Sequence, residues 1–276
     1  MRLINQSYEI CNQTGFSLLD IYEHIEKCAR VSYKSEDKIT NSSAIPFVNM
    51  LEEHGHDAPL EFGTIHFKIP NTLFKTLCED LVFHKLWNNI WIQYKIVDDT
   101  IYFTTNYRYW HVILDKVPYI GEYLDLGDEN LDNYPKRYTV KLITSRAISH
   151  EVVRHRIFSF MQESQRFINY SKGKFNNEVT FIKPCWVVVP MTVEDFTFTG
   201  LLENAEYSYL QLLKKGWKPQ QARVVLPNNT KTELYMCGFK DAWEHFFALR
   251  DNKIVDPQMY DLVHPMHQEF IDNKYL

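Results

Sequence analysis

Residues 154–166 of this 276-residue chain read RHRIFSFMQESQR, the densest cluster of polar side chains in the sequence. Apolar residues at helical spacing precede it and predict a helix that begins near Ser145. If that helix continued through the cluster, Arg154 and Arg156 would point about 160° apart. The two arginines would then flank a wall between two ligands or two subunits, and they would not serve one small ligand together.

The second half of the cluster, from Ser159 to Arg166, is rich in short polar side chains. We expect such a run in a loop that wraps an anion with hydroxyls, amides and one guanidinium group. An isolated RHR triplet is more typical of a solvated helix face. Here the flanking residues are apolar: Val152, Val153, Ile157, Phe158 and Phe160. A guanidinium in such surroundings needs an anionic partner, so the residues predict a nucleotide-sized anion site built from arginines.

A second cluster ends at Arg250. Phe239, Trp243, Phe246 and Arg250 follow one another at spacings of four, three and four, which places them on one face of a helix over 240–250. Arg250 is either a cation that reaches solvent at a helix C-terminus, where the dipole favours it, or a desolvated guanidinium that waits for an anion. His245, on the same predicted helix, is by itself more typical of a packed histidine than of a ligand contact.

Two further stretches hold residues of chemical interest. His54–Glu61 contains two histidines and two carboxylates, but it lacks a third well-spaced metal ligand. We therefore predict no metal site and interpret the stretch as a turn that enters a strand. Cys185, followed by Val187–Val189, is predicted to be an inert, packed residue of a strand.

Periodicity predicts the remaining elements only coarsely. Alternation over 64–69 predicts a half-buried strand, and 139–143 predicts another. The other predicted helices cover 17–33, 200–215 with Gly216 as the C-cap, and a short stretch from Pro219 that carries Arg223. Mixed structure is expected over 71–138.

Composition excludes several classes of function. A net charge of −5 disfavours binding to bulk phosphate backbone, so no nucleic-acid partner is predicted. No GxGxxG or GxxxxGK[ST] motif occurs, which leaves nucleotide binding to side chains. Five cysteines without a CxxC pair suit free thiols in a reducing, cytoplasmic compartment. Neither a membrane span nor a signal peptide is indicated.

The RHR triplet, seven intervening residues, and then Ser164 and Arg166 resemble the signature of the flavin-dependent thymidylate synthases. Further segments lie in that family's order: Ala29–Tyr33, His56–Glu61 before a strand with Phe67, Ala222–Pro227, and Leu249 with Arg250. The resemblance covers most of the chain outside 71–138. It implies a single domain over 1–276 with a family-atypical insertion at about 71–138.

By this resemblance the fold is α/β (α+β), with a central, largely antiparallel sheet flanked by helices. The implied activity is reductive methylation of dUMP to dTMP. The implied carbon donor is 5,10-methylenetetrahydrofolate, and the implied hydride carrier is FAD reduced by NADPH. The implied assembly is a homotetramer whose active sites are shared between chains.

The resemblance also assigns residues. Those that match FAD contacts are Ser32, His56, Ala58, Glu61, Arg154, His155, Arg156, Ile157, Gln162 and His245. Those that match dUMP contacts are Glu151, Arg154, Gln162, Glu163, Ser164, Gln165, Arg166, Arg223 and Arg250. Arg166 is implied as the phosphate clamp, and Arg250 as the catalytic residue that stabilises negative charge on the uracil. Gln162 stands where the family usually has Glu, so either Gln162 or Glu163 is expected to contact the ribose.

Three alternatives stay open at this point. One is a flavoprotein on the same scaffold that oxidises NADPH or methylates another substrate with folate. Another is a nucleotide- or RNA-binding module that uses the RHR segment as a basic patch, which the net charge and the dispersed aromatic residues disfavour. The third is a synthase in which Cys185 attacks the pyrimidine.

Overall fold

A computed structural model describes residues 1–87, 89–127, 131–187 and 193–276. Its strands are β1 (Arg2–Ile4), β2 (Ser7–Ile10), β3 (Thr64–Pro70), β4 (Ile92–Val97), β5 (Thr100–Asn106), β6 (Leu124–Asp125), β7 (Arg137–Ser145), β8 (Ser159–Gln162), β9 (Thr180–Ile182) and β10 (Lys231–Phe239). Its α-helices are α1 (Leu18–Ala29), α2 (Ala44–Glu53), α3 (Asp57–Leu60), α4 (Asn71–Phe83), α5 (Tyr107–Lys116), α6 (Arg146–Val152), α7 (Val193–Lys214), α8 (Pro219–Ala222), α9 (Lys240–Arg250) and α10 (Pro257–Asp272). Within these ranges, no helix combines the length and the apolar character needed to cross a bilayer.

The central sheet has the strand order β2-β7-β10-β8, and every neighbouring pair is antiparallel. β10 and β7 pair along their whole length, from Lys231 opposite Ser145 to Phe239 opposite Arg137. Helices α6, α9 and α10 bury their apolar faces against this sheet, with Trp243 fully buried at the centre. The fold class predicted from the resemblance, an antiparallel sheet flanked by helices, is therefore confirmed.

A second sheet has the order β4-β5-β3-β6 and is built from β3 together with strands of the 71–138 segment. Its core is shared with α1 and α2, so the segment packs onto the rest of the chain. The prediction of a half-buried β3 was wrong for its first half. His66, on the polar face, lies between the rings of Phe16 and Tyr134, with centroids 4.4 and 4.3 Å away, and it is 5% exposed.

The strand predicted around Cys185 was also wrong. β9 ends at Ile182, and the chain then turns, with a hydrogen bond from Val187 N–H to the Pro184 carbonyl of 3.1 Å. Cys185 is exposed in this turn. Val188 and Val189, which the predicted strand included, lie outside the described residues.

The predicted helices were mostly confirmed. α9 has the bounds that were predicted, and α7 ends just before Gly216, whose φ of +90° suits a glycine cap, although it begins seven residues earlier than predicted. Sequence reasoning missed α2 and α10, and the stretch predicted as a turn before β3 contains the short helix α3. For α10 the signals were present, since Asp256 caps the helix, Pro257 occupies its first turn, and apolar residues recur at helical spacing up to Phe270.

Gly238 in β10 is expected to tolerate no side chain. A Cβ added there would lie 2.5 Å from Phe158 Cδ1 and 2.7 Å from Cε1. Phe158 is 3% exposed and packs edge-on against Trp243 at 4.9 Å, so it has no space into which to move. Gly238→Ala should lower the free energy of unfolding by about 1–3 kcal/mol, measured by urea denaturation.

Gly200 provides the matched control for that prediction. It lies within α7, and an added Cβ would meet no atom within 4 Å. Gly200→Ala should raise the free energy of unfolding by up to about 1 kcal/mol, because alanine favours the helix. Equal effects of the two substitutions would contradict the packing argument.

Candidate active site

A cavity of about 830 Å³ opens between the segment that follows α1, the turn before α3 and the chain that follows β8. Apolar side chains such as Phe47, Met50 and Phe167 form much of its wall, together with Arg108 and with Arg30, whose Nε donates to Glu26 Oε1 at 2.7 Å. We call it the main cavity. Its size and its mixture of apolar surface with a few polar groups are typical of sites for small molecules and cofactors.

Four of the residues assigned by resemblance line the main cavity: Ser32, His56, Ala58 and Ser164. The Ser164 N–H donates to the Ser32 carbonyl at 3.1 Å, which joins the two walls. The structure thus brings three residues assigned to the flavin together with one assigned to dUMP.

Glu61 lies behind this cavity and is 9% exposed. Its Oε1 accepts a hydrogen bond from Arg108 Nη1 at 2.7 Å, and its Oε2 accepts one from Ser159 Oγ, also at 2.7 Å. Arg108 Nη2 lies 3.3 Å from Asp57 Oδ2 as well. Because Arg108 belongs to α5, the 71–138 segment contributes a charged residue to the wall of the main cavity.

The RHR triplet does not continue α6, so the premise of the helical argument was wrong. α6 ends at Val152 and the triplet lies in successive turns, with Arg156 N–H bonded to the Arg154 carbonyl at 3.0 Å. The chain has to reverse here because Ser159–Gln162 must extend as β8 to pair with β10. The loop predicted after Ser159 therefore begins only at Glu163.

The turns direct His155 toward the end of α9, where it meets Arg250. Arg250 Nε donates to His155 Nε2 at 3.0 Å, and Nη1 donates to Glu151 Oε2 at 2.9 Å. The Arg250 side chain is 19% exposed, so it neither reaches freely into solvent nor lies fully desolvated. Three residues assigned by resemblance, Glu151, His155 and Arg250, thus form one polar group at the junction of α6 and α9.

His155 is held in its neutral form. Burial lowers its pKa from 6.5 to about 4, and the neighbouring charge of Arg250 acts in the same direction. A neutral imidazole can accept the hydrogen bond from Arg250 Nε, which an imidazolium cannot do.

This pKa predicts a pH dependence of stability. Between pH 6.5 and 4 the unfolded chain binds a proton at His155, whereas the folded chain does not. The stability contributed by His155 should therefore be complete above pH 6.5 and should decline as the pH falls toward 4. In NMR titrations, the ring signal that disappears in His155→Gln should titrate near pH 4, and titration near 6.5 would contradict the burial argument.

Gln162 and Glu163, at the end of β8, are both engaged within the chain. Gln162 Nε2 donates to Ser149 Oγ at 2.9 Å and to Thr232 Oγ1 at 3.1 Å. The Glu163 carboxylate is 2% exposed and pairs with Lys231 Nζ at 2.7 Å. The contact of either residue with a ribose stays a prediction.

Gln165 and Arg223 line a second cavity, of about 400 Å³, which also includes Arg146, His150 and Asn228. We call it the polar cavity. The remaining assigned residues lie at the surface or partly buried: Arg154, Arg156, Arg166 and His245 are exposed, and Ile157 packs partly buried against the central core. Within one chain, the residues assigned by resemblance therefore lie in several separate places.

A protein-family model described as thymidylate synthase complementing protein, Thy1, matches residues 136–273, which is half of the chain. The chain belongs to the Thy1 family. The matched part of this Thy1 chain contains β7, β10 and α9 with Arg250, together with the RHR segment.

Curated relatives of this Thy1 chain include two bacterial proteins. A flavin-dependent thymidylate synthase of Corynebacterium aurimucosum is 30% identical over 158 residues, which is 52% of this chain and 61% of that protein. A flavin-dependent thymidylate synthase of Mycobacterium avium is 28% identical over 161 residues, 51% of this chain and 60% of that protein. The chain therefore spans about six tenths of the length of these relatives.

Among solved structures, a UMP/dUMP methylase, PolB from Streptomyces cacaoi, bound with 5-Br dUMP, resembles this Thy1 chain with a TM-score of 0.45. The sequence identity is 17%, over 99% of this chain and 93% of that chain.

Sequence reasoning missed three arginines that the structure places in the cavities. Arg30 was quoted within Ala29–Tyr33 without a role, and Arg108 lies in the 71–138 segment, which has no recognisable motif. For Arg146 the sequence held one signal of a possible functional role. It is a cation in the first turn of α6, where the helix dipole disfavours positive charge.

Proposed function

We propose that this Thy1 chain methylates dUMP reductively to dTMP, with 5,10-methylenetetrahydrofolate as carbon donor and FAD reduced by NADPH as hydride carrier. The observation that carries the proposal is the arrangement of Arg250. Its guanidinium is mostly shielded from water and fixed by Glu151 and His155. Arginine has five N–H donors, so these contacts leave donors for a ligand.

The main cavity suits FAD. Its apolar and aromatic wall can hold flat rings. Arg108 pairs with Glu61 and Asp57 but is 44% exposed, so it keeps donors for a pyrophosphate. Ser32, His56, Ala58 and Glu61 lie in or behind its wall and are the residues that would hold the cofactor. When bound and reduced, the flavin supplies the hydride.

The chain itself orients and polarises the substrate. Arg250 would stabilise the negative charge that develops at the N3/O2 edge of uracil, and His155 and Glu151 hold Arg250 in position for this task. Cys185 does not suit the role of a nucleophile. Although Cys185 is exposed, partial desolvation of its thiol and the nearby carboxylates of Asp261 and Asp256 raise its pKa, which disfavours the reactive thiolate.

The same proposal includes a cytoplasmic homotetramer in which a second chain completes each site. Its support is the distribution of the assigned residues, since Arg166 and Arg154 point to solvent within one chain. Exposed apolar side chains such as Tyr207 on α7 and Val224 beside Arg223 offer surface for such contacts.

One assay tests the proposed reaction. The purified protein should show a flavin absorbance spectrum and release tritium from dUMP labelled at C5, with both NADPH and methylenetetrahydrofolate required. Cys185→Ala should leave this release unchanged. Bound flavin with NADPH oxidation but no release would favour the other flavoprotein reaction, and a colourless, inactive protein even after addition of FAD would refute the enzyme.

A further inference from the structure

The polar cavity gathers positive charge without a matching negative charge. Arg146, at the start of α6, and Arg223, just after α8, both line it, and His150 stands beside them. In the described part of the chain, neither guanidinium has a carboxylate within 4.0 Å, although many of the other arginines and lysines are paired. Two cations that share a cavity repel each other unless an anion joins them.

Few contacts compensate the partial burial of the Arg146 guanidinium. Among the described residues its Nη1 makes only a long hydrogen bond of 3.5 Å, to the carbonyl of Glu163, and the carboxylate of that residue is already paired with Lys231. Burial lowers the pKa of Arg146 and the charge of Arg223 acts in the same direction, while Tyr170 and Glu163 oppose them.

The backbone holds Arg146 in this position despite the cost. Its N–H donates to the Thr230 carbonyl at 3.0 Å, and Ser145 caps the helix through a bond from Ile148 N–H of 3.3 Å. A cation in the first turn opposes the helix dipole, so neither local structure nor ion pairing within the described chain explains an arginine here. An anionic ligand in the polar cavity explains it.

We infer that Arg146 is a further phosphate-binding residue, which joins Arg223 in binding a dianionic phosphate monoester. This inference rests on the proposed function and deepens it, because the monoester is then the 5′-phosphate of dUMP. The resemblance assigns Arg223 to the nucleotide but gives Arg146 no role. Two planar guanidinium groups that approach one phosphate from different elements can neutralise its charge and fix its orientation through paired hydrogen bonds.

The inference predicts a loss of affinity that depends on the phosphate. Arg146→Gln should raise the dissociation constant for dUMP by about 10- to 100-fold, as expected when a charge-assisted hydrogen bond is lost. Binding of deoxyuridine, which lacks the phosphate, should be unchanged. Arg146→Lys, which keeps the charge but loses the planar fork, should give an intermediate value by isothermal titration calorimetry.

A second readout needs neither flavin nor activity. Millimolar inorganic phosphate should raise the thermal unfolding midpoint of the wild-type protein more than sodium chloride of equal ionic strength, and Arg146→Gln should abolish the difference. Lys214→Gln, which removes one exposed charge at the end of α7, should behave as the wild type does in both experiments.

The outcomes separate the two proposals. A wild-type protein that lacks flavin and releases no tritium, yet shows stabilisation by phosphate that depends on Arg146, would refute the reaction and support the anion site. An active protein whose affinity for dUMP is unchanged in Arg146→Gln would overturn the inference alone. Absence of any effect of phosphate and of dUMP on the wild type would also overturn it.

Discussion

Arg250→Ala is expected to lower tritium release from dUMP by about 100- to 1,000-fold, the range seen when a preorganised donor to developing charge is removed. The guanidinium is fixed before substrate arrives, because His155 accepts from its Nε and Glu151 from its Nη1. Little reorganisation is then needed as charge develops on the uracil. The effect should appear mainly in kcat, since the contact strengthens in the transition state.

Lys240→Ala is the matched control for this experiment. Lys240 begins the same helix, is 44% exposed, and pairs only loosely with Glu244 at 3.7 Å, so its loss should leave the rate unchanged. The Arg250 variant should keep its flavin absorbance and its unfolding midpoint, which distinguishes lost catalysis from lost structure. An Arg250→Ala protein that releases tritium at nearly the wild-type rate would remove the basis of the proposed mechanism.

The parts of the fold that local patterns specify were predictable. α9 was predicted with its observed bounds because Phe239, Trp243 and Phe246 form one apolar face. The alternating residues of β3 likewise specified a strand. The arrangement of strands in a central antiparallel sheet came only from the resemblance, because periodicity carries no information about which strands pair.

The predictions that failed concern features that depend on contacts between distant segments of the chain. α6 ends early because β8 must pair with β10, which no pattern near Val152 reveals. His66 is buried by Phe16 and Tyr134, which come from other parts of the chain. The polar cavity also depends on distant segments, since Arg146 and Arg223 line it together only because the fold brings α6 and α8 close to each other.

A lysine–glutamate cluster around Glu233 of β10 is the site of the second large expected effect. It consists of Lys34, Lys141, Lys231, Glu163 and Glu233. Glu233 is 6% exposed; it lies 2.8 Å from Lys34 Nζ and 2.8 Å from Lys141 Nζ, and it also pairs with Lys231. Glu233→Gln keeps the side-chain volume but removes the carboxylate that pairs with Lys141, and it leaves Lys34 with Glu36 alone and Lys231 with Glu163 alone. It should lower the free energy of unfolding at pH 7 by about 3–5 kcal/mol, measured by urea denaturation.

Glu9→Gln is the control for charge alone. Glu9 lies on β2 opposite Lys141, but its side chain is 63% exposed and its ion pair with Lys27 spans 4.0 Å. Its substitution should change the free energy of unfolding by no more than about 0.5 kcal/mol. Comparable losses of unfolding free energy in the two variants would show that burial of the Glu233 cluster does not increase its contribution to stability.

The pH dependence of the free energy of unfolding tests whether the charge of Glu233 causes the expected destabilisation. Burial opposes ionisation of Glu233, but the charges of Lys231 and Lys34 and the hydrogen bonds from the lysines outweigh it and hold its pKa below the ordinary 4.5. As the pH falls below 4.5 the unfolded chain binds a proton at this residue before the folded chain does, so the stabilisation is lost. The difference between wild type and Glu233→Gln should therefore be constant from neutral pH down to about 4.5 and should narrow below it, because only in the wild type does the unfolded chain bind a proton at this position that the folded chain does not bind.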